Sequence, residues 1–449
     1  MPKLGMINYA GASEGRVAPI MAEKIKENKG QSLIVVPTLN RAKRLATDLS
    51  FFGAPNILVL PPEEEGFLQY EARSNDELLQ RIAILKEITS GADCTVIAPV
   101  TGAIRKLPPK EVFLENRIFV KRGEDLDLEN LKQDLARMGY ERVSMIESRG
   151  EYSQRGEIID IFTPEGEMPY RIDLFDTEVD SIKTFDPDTQ RSIEELTDIT
   201  IYPCTELLRD SEAFAKAAQK IERAYNRRIR TLEKRAAEKA KAEAGRGQAG
   251  QAMAASEIKT EQTYNLRQRR DQLIEYADGM INLQYMEKFL GYFYDSTAYI
   301  WDFMDSPQIF VDDPARILQV LELFEKERAD DIDMLLSEGR AIGDDFKTMS
   351  GQSDFFLLYG LPEKLGHDGY IFTPFESTIK GSPFLTELIH INCRQTPVYN
   401  GRMDVLKTDL EGYIARDYKV HIVCASDERE SSIREFLSLE GLLDETYQS

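Results

Sequence analysis

At 449 residues, with 42% hydrophobic and 30% charged side chains, the chain has the composition of a globular protein and the length for about two to four domains. No apolar run approaches the roughly 18 to 20 residues of a membrane helix, and the N-terminal stretch lacks the basic and apolar regions of a signal peptide. A formal net charge of −22 opposes nucleic acid as a direct partner, because phosphate binding requires Lys and Arg in excess at the contact.

Residues 5–60 read as a loop, a helix over 16–28, a strand over 32–36, a helix over 40–51 and a strand over 56–60, the alternation of an α/β unit. The loop before the first helix stands where a phosphate loop, GxxxxGK[ST], would hold phosphates on its amides and lysine and Mg²⁺ on its hydroxyl. In that register the positions carry Ala10, Gly15, Arg16 and Val17. Arg16 lacks the compact geometry of lysine and Val17 has no oxygen for a metal, so a turn opening a helix is expected there, with no cofactor bound. An acidic, turn-rich link over 61–77, an amphipathic helix over 76–89, a strand over 95–98 and a short helix complete the first half of the scaffold, 1–116.

The pattern changes over 117–204. A strand over 117–121 and a helix over 128–138 lead into 150–203, where short period-two runs are separated by turn residues, as in an antiparallel sheet. In the run YRIDLF the alternation puts Arg171, Asp173 and Phe175 on one face and Tyr170, Ile172 and Leu174 on the other, which forms the core. Antiparallel pairing brings Arg155 near the first face. Arginine with an aromatic on one face is a composition that favours binding hot spots, while the pattern alone fits better a solvated strand face with a Phe edge partly covered by its neighbours.

Residues 205–384 hold a helical arm and the second half of the scaffold. Within 206–290, Arg227, Arg228, Arg230, Lys234 and Arg235 are interleaved with Glu222, Glu233 and Glu238, a pattern read as a solvated arm, and 245–251 break it into a hairpin. The run over 308–314 contains Asp312 and Asp313, where an α/β ATPase holds Mg²⁺ and a catalytic Glu. Asp313 is one methylene short of Glu, and the pair is expected to cap the next helix, 315–338. In 385–449 a helix over 403–417, a strand over 419–424 and a helix over 428–440 suggest a second α/β domain, C-terminally truncated. Cys94, Cys204, Cys393 and Cys424 form no CxxC pair and His367, His390 and His421 no HExxH, so reduced thiols in a cytoplasmic protein are expected, without a metal site.

The run RGEYSQRGEIIDIFTPEGEMPYRIDLFDTEVDSIKTFDPDTQRS, together with LIVVPT, FLQYEARSNDELLQRIAIL, TVIAPVTGAIRKLPP, IFVDDPARI and TPVYNGRMDVL in the same order, resembles the N-terminal UvrB-homology region of bacterial transcription-repair coupling factors (Mfd). The resemblance implies a RecA-like, P-loop-type parallel-sheet α/β domain split by an inserted β-rich α+β module and followed by a second α/β domain. It implies a non-catalytic region whose module recruits UvrA, with Arg155, Arg171 and Phe175 at the UvrA-binding positions. In that family RNA polymerase and DNA binding, and the ATP and Mg²⁺ of the motor, belong to later parts; no membrane is involved. The divergent loop over 10–17 fits this family. The alternative, a UvrB-like DNA-dependent ATPase of the incision complex, would keep the phosphate loop and carry a tyrosine-rich hairpin where 61–77 offers only Phe67 and Tyr70.

Overall fold

The computed structural model describes residues 4–62, 76–208, 210–244, 249–375, 385–393, 397, 399, 401–424 and 426–442, with the side chains of 239–259 outside that description. Phe67, Tyr70 and part of the 245–251 break also lie outside it.

Five-residue apolar runs buried at every position suit strands covered on both faces, the condition of a parallel sheet. β1 (Met6–Ala10), β2 (Ser32–Val36), β3 (Ile57–Val59) and β4 (Thr95–Pro99) alternate with helices α1 (Glu14–Glu27), α2 (Leu39–Phe51) and α3 (Asp76–Thr89). Eight strands of the inserted module follow: β5 (Ile118–Lys121), β6 (Glu141–Arg142), β7 (Glu151–Arg155), β8 (Ile158–Ile161), β9 (Tyr170–Phe175), β10 (Glu178–Phe185), β11 (Ser192–Leu196) and β12 (Asp198–Ile201). The scaffold then resumes with β13 (Gln308–Asp312), β14 (Gly369–Thr373) and β15 (Leu385–His390).

The scaffold sheet has seven strands in the order β15-β1-β14-β13-β2-β4-β3, every pair parallel. Alternation along β2 sends Ile34 and Val36 to one face, against Val17 and Met21 of α1 and Leu45 and Leu49 of α2. Leu33 and Val35 point the other way, into a core with Ile82 and Leu85 of α3 and Trp301. Helices thus cover both faces, and the chain's crossovers leave a crevice at the carboxyl ends of the central strands.

The module builds its own core. Leu131 and Leu135, on the helix Leu128–Arg137, pack against Ile159, Ile161, Ile172, Leu174 and Ile182 of a six-stranded sheet ordered β11-β10-β9-β8-β7-β6. β5 and β12, where the chain enters and leaves the module, pair antiparallel with each other. After the module, helices Ser211–Ala244 and Ala249–Gly279 form the arm, anchored by Phe214, Ile221, Tyr225 and Ile229 against Leu266, Leu273 and Phe293.

Several elements differ from the sequence expectation. The stretch read as a loop before α1 contains β1, an interior strand whose apolar run is interrupted by Asn8. Its partners β14 and β15 lie more than 350 residues away in sequence. Residues 385–390, expected to open a second domain, are β15, which joins the scaffold sheet beside β1. No strand forms over 419–424, because no described strand lies beside it to supply a ladder; His421 instead sits near the Phe51 and Phe52 rings, centroids 6.0 Å away. The helix beginning at Met403 ends at Ile414, ahead of Asp417 in the left-handed region (φ 61°).

Candidate functional site

Two places carry the residues singled out in the sequence. On the module, β7, β8, β9 and β10 pair antiparallel, with Arg155 opposite Ile158, Ile158 opposite Asp173, and Asp160 opposite Arg171. Directly opposed residues share a face, so Arg155, Arg171 and Phe175 lie on one side and Ile172 and Leu174 are buried on the other. Phe175 closes β9 at the β9–β10 hairpin and is 77% exposed. Ile158, which the sequence reading did not single out, is 40% exposed on the same face. The tight β7–β8 turn requires Gly156 at φ 64°.

The two arginines are held differently. Arg155 is exposed and donates Nη2 to the Ser144 carbonyl at 2.8 Å. Arg171 donates Nε to Asp160 Oδ1 at 2.7 Å and Nη2 to Asp160 Oδ2 at 2.8 Å, reaches Gln190 Oε1 at 2.9 Å, and lies 4.2 Å from the centroid of the buried Phe185 ring. Its hydrogen bonds to Asp160 hold the guanidinium above its ordinary pKa. Arg171, expected as a freely presented contact, is therefore also a clamp between β8 and β9.

The second place is the crevice of the scaffold, a cleft of about 360 Å³ lined by Ala12, Glu14, Val17, Arg41, Asp312 and Arg316 among others. Gly15 and Arg16 are exposed in the first turn of α1, and Val17 is buried beneath it. The turn before α1 is occupied by the chain itself: the Ser13 N–H donates to Cys393 Sγ at 3.0 Å, and the Cys393 thiol donates to the Gly11 carbonyl at 2.9 Å. Gly11, at φ 82°, passes so close to the segment carrying Cys393 that a Cβ there would meet the Ile391 carbonyl oxygen at 2.8 Å. Asp312 is buried at the end of β13 and accepts from Arg41 Nε at 2.6 Å; burial pushes its carboxyl pKa up while Arg41 opposes the rise. Asp313, in the left-handed region at φ 53°, accepts from the Arg316 N–H at 3.3 Å and caps the helix Pro314–Glu338.

The family model described as the UvrB interaction domain matches residues 118–207, from the start of β5 through the exit of the module. A transcription-repair-coupling factor of Bacillus subtilis (strain 168) is 30% identical over 437 residues, covering 96% of this chain and 34% of that protein. This chain is a transcription-repair-coupling factor homologue. A second such factor, from Staphylococcus aureus (strain USA300), is 25% identical over 432 residues, 95% of this chain and 34% of its own length. The homologue thus spans 34% of the length of these curated relatives.

In the coupling-factor homologue the matched module and the face carrying Arg155, Arg171 and Phe175 coincide. Among the described residues no helix is long and apolar enough to cross a membrane, and no group of three or more His, Cys, Asp or Glu is placed to hold a metal ion. Sequence reasoning missed the Arg171–Asp160 and Arg41–Asp312 pairs and the contact of Cys393 with the loop. The Asp160–Arg171 pairing had a signal, the two period-two runs 158–161 and 170–175; the other two join residues more than 250 positions apart and had none.

Proposed function

We propose that this chain is the non-catalytic, UvrA-recruiting part of a transcription-repair coupling factor, acting in the cytoplasm to connect stalled RNA polymerase with nucleotide excision repair. The observation that carries the reading is Phe175, an aromatic 77% exposed on a sheet face of the module that matches the UvrB interaction domain. A large apolar ring held out by a rigid hairpin, with Ile158 and Arg155 on the same face, is the anchor-and-arginine arrangement that concentrates binding energy. The polymerase-binding and DNA-translocating activities are assigned to the portion of the relatives that this chain does not match.

The scaffold crevice is proposed to be inactive toward ATP. Val17 supplies no metal ligand, Asp312 is engaged by Arg41, and Cys393 holds the N–H of Ser13 in the turn where phosphate oxygens would sit. These features disfavour the alternative reading as a UvrB-like ATPase. The test of the docking reading is UvrA affinity of the wild-type chain and of the Phe175→Ala and Arg155→Ala variants by calorimetry or interferometry. Loss of a hot-spot side chain costs about 1 to 4 kcal/mol, so Phe175→Ala is expected to weaken UvrA binding tenfold to several hundredfold. Wild-type affinity in a folded Phe175→Ala variant would place the interface elsewhere.

A further inference from the structure

The helix Ser211–Ala244 buries Phe214, Ile221, Tyr225 and Ile229 on its inner side. Its outer side carries Lys216, Lys220, Arg223, Arg227, Arg230 and Lys234, separated by 4, 3, 4, 3 and 4 residues. At 3.6 residues per turn that spacing aligns six cations within about 80° of arc, along about 27 Å of helix. All six are exposed. Glu222 and Glu233, interleaved with them in the sequence, fall outside this arc once the helix is wound.

The acids that do reach the stripe sit at its ends or on neighbouring elements. Lys216 pairs with Glu212 at 2.6 Å, Lys220 with Asp295 at 3.3 Å, Arg227 with Asp344 at 2.6 Å and Lys234 with Glu238 at 4.0 Å. Such exposed pairs contribute little and exchange readily for another anion. Arg223 and Arg230, in the middle of the stripe, make no ion pair among the described residues.

We propose that this stripe is a docking surface for the phosphate backbone of duplex DNA, bound without sequence preference. A straight row of cations about one helical turn apart is complementary to a regular line of phosphates, and about 27 Å spans roughly eight base pairs. The helix presents no exposed aromatic in its described part, since Phe214 and Tyr225 are buried, so it lacks the stacking platform that single strands require. With a net charge of −22 on the whole chain, the remaining surface repels DNA and orients its approach toward the arm. This surface is separate from the module face proposed for UvrA, and neither proposal rests on the other.

The test is fluorescence anisotropy of a labelled duplex of about 20 base pairs with the full chain, over a salt series from about 50 to 200 mM. Five phosphate contacts would give a log–log slope near −4.5 and an affinity loss of about 500-fold across that range. The double variant Arg223→Gln/Arg230→Gln should bind at least tenfold more weakly at low salt, with a slope shallower by about 2. Arg122→Gln/Arg137→Gln, one exposed and one half-buried cation on the module, should match wild type. Absence of duplex binding at low salt, an unchanged slope in the double variant, or equal loss in the module control would overturn the proposal. So would a preference for poly-glutamate over duplex, which would assign the stripe to an acidic protein.

Discussion

Truncating Arg171 separates its structural role from any role in docking. The guanidinium bridges β8 and β9 through both Asp160 oxygens, with the two side chains only 20% and 11% exposed, and covers the Phe185 ring. Arg171→Ala leaves the Asp160 carboxylate poorly solvated and without its partner. Breaking a fully buried pair this way costs about 3–5 kcal/mol, and the remaining solvent access here lowers that to about 2 kcal/mol. A local penalty of that size multiplies the open population of the β8–β9 ladder by about 30. Amide hydrogen exchange of peptides covering 158–161 and 170–175 reads it directly. The double variant Arg171→Ala/Asp160→Asn should recover much of the protection, since no charge is stranded, and Arg171→Lys should recover part of it, since one ammonium cannot reproduce the fork. UvrA affinity measured on the same variants completes the comparison. If Arg171→Ala exchanges like wild type in these strands while UvrA binding falls, the clamp reasoning is wrong and Arg171 acts only as a contact.

The adjacent pair Leu174 and Phe175 should divide stability from binding: Leu174→Ala, emptying a core position, should cost about 2–5 kcal/mol and lower the melting temperature, whereas Phe175→Ala should leave it within error. Equal melting shifts would mean that the face assignment is wrong. Calorimetry with ATP and Mg²⁺ should detect no metal-dependent binding, with or without DNA, and DNA-stimulated turnover that disappears in Arg16→Ala would refute this. A pH effect is expected at the junction of module, scaffold and arm, where Glu287 lies beside Glu206, Arg81 and Arg105. Burial, then the neighbouring Glu206 charge, pushes the Glu287 carboxyl from 4.5 up to about 7. The folded chain therefore holds this proton more tightly than the unfolded chain, so the Glu287 contribution to stability declines as pH rises from 4.5 to about 7 and is level above that. Glu287→Gln, which mimics the protonated group, should melt like wild type near pH 5 and above it near pH 8; the same difference at both pH values would exclude titration of Glu287 as the cause.

Much of the local structure was legible because it depends on near neighbours. Period-two alternation over 170–175 marks Ile172 and Leu174 as the buried face, and continuous apolar runs at 32–36 and 95–98 mark strands covered on both sides. Turn residues and helix periodicity place α3 over Asp76–Thr89. The order of these signals already separates a β-rich insert from a parallel-sheet scaffold.

Partner choice across long sequence distance required the tertiary structure. Alternation says which way Arg171 points, but only the β8–β9 register sets it opposite Asp160 and turns an exposed cation into a clamp. β1 and β15 mix polar with apolar residues and so carry no continuous apolar run to announce them, and their pairing, which draws 385–390 into the scaffold and Cys393 onto the turn at Gly11, comes from a sheet closed by residues more than 350 positions apart. On the arm the sequence lists mixed charge, and winding the helix sorts it into a row of cations facing away from the core. A sequence fixes the period and the chemistry of each position because these are set within a few residues, whereas ion pairs, plugged turns and charge stripes depend on which distant surfaces the packed core brings together.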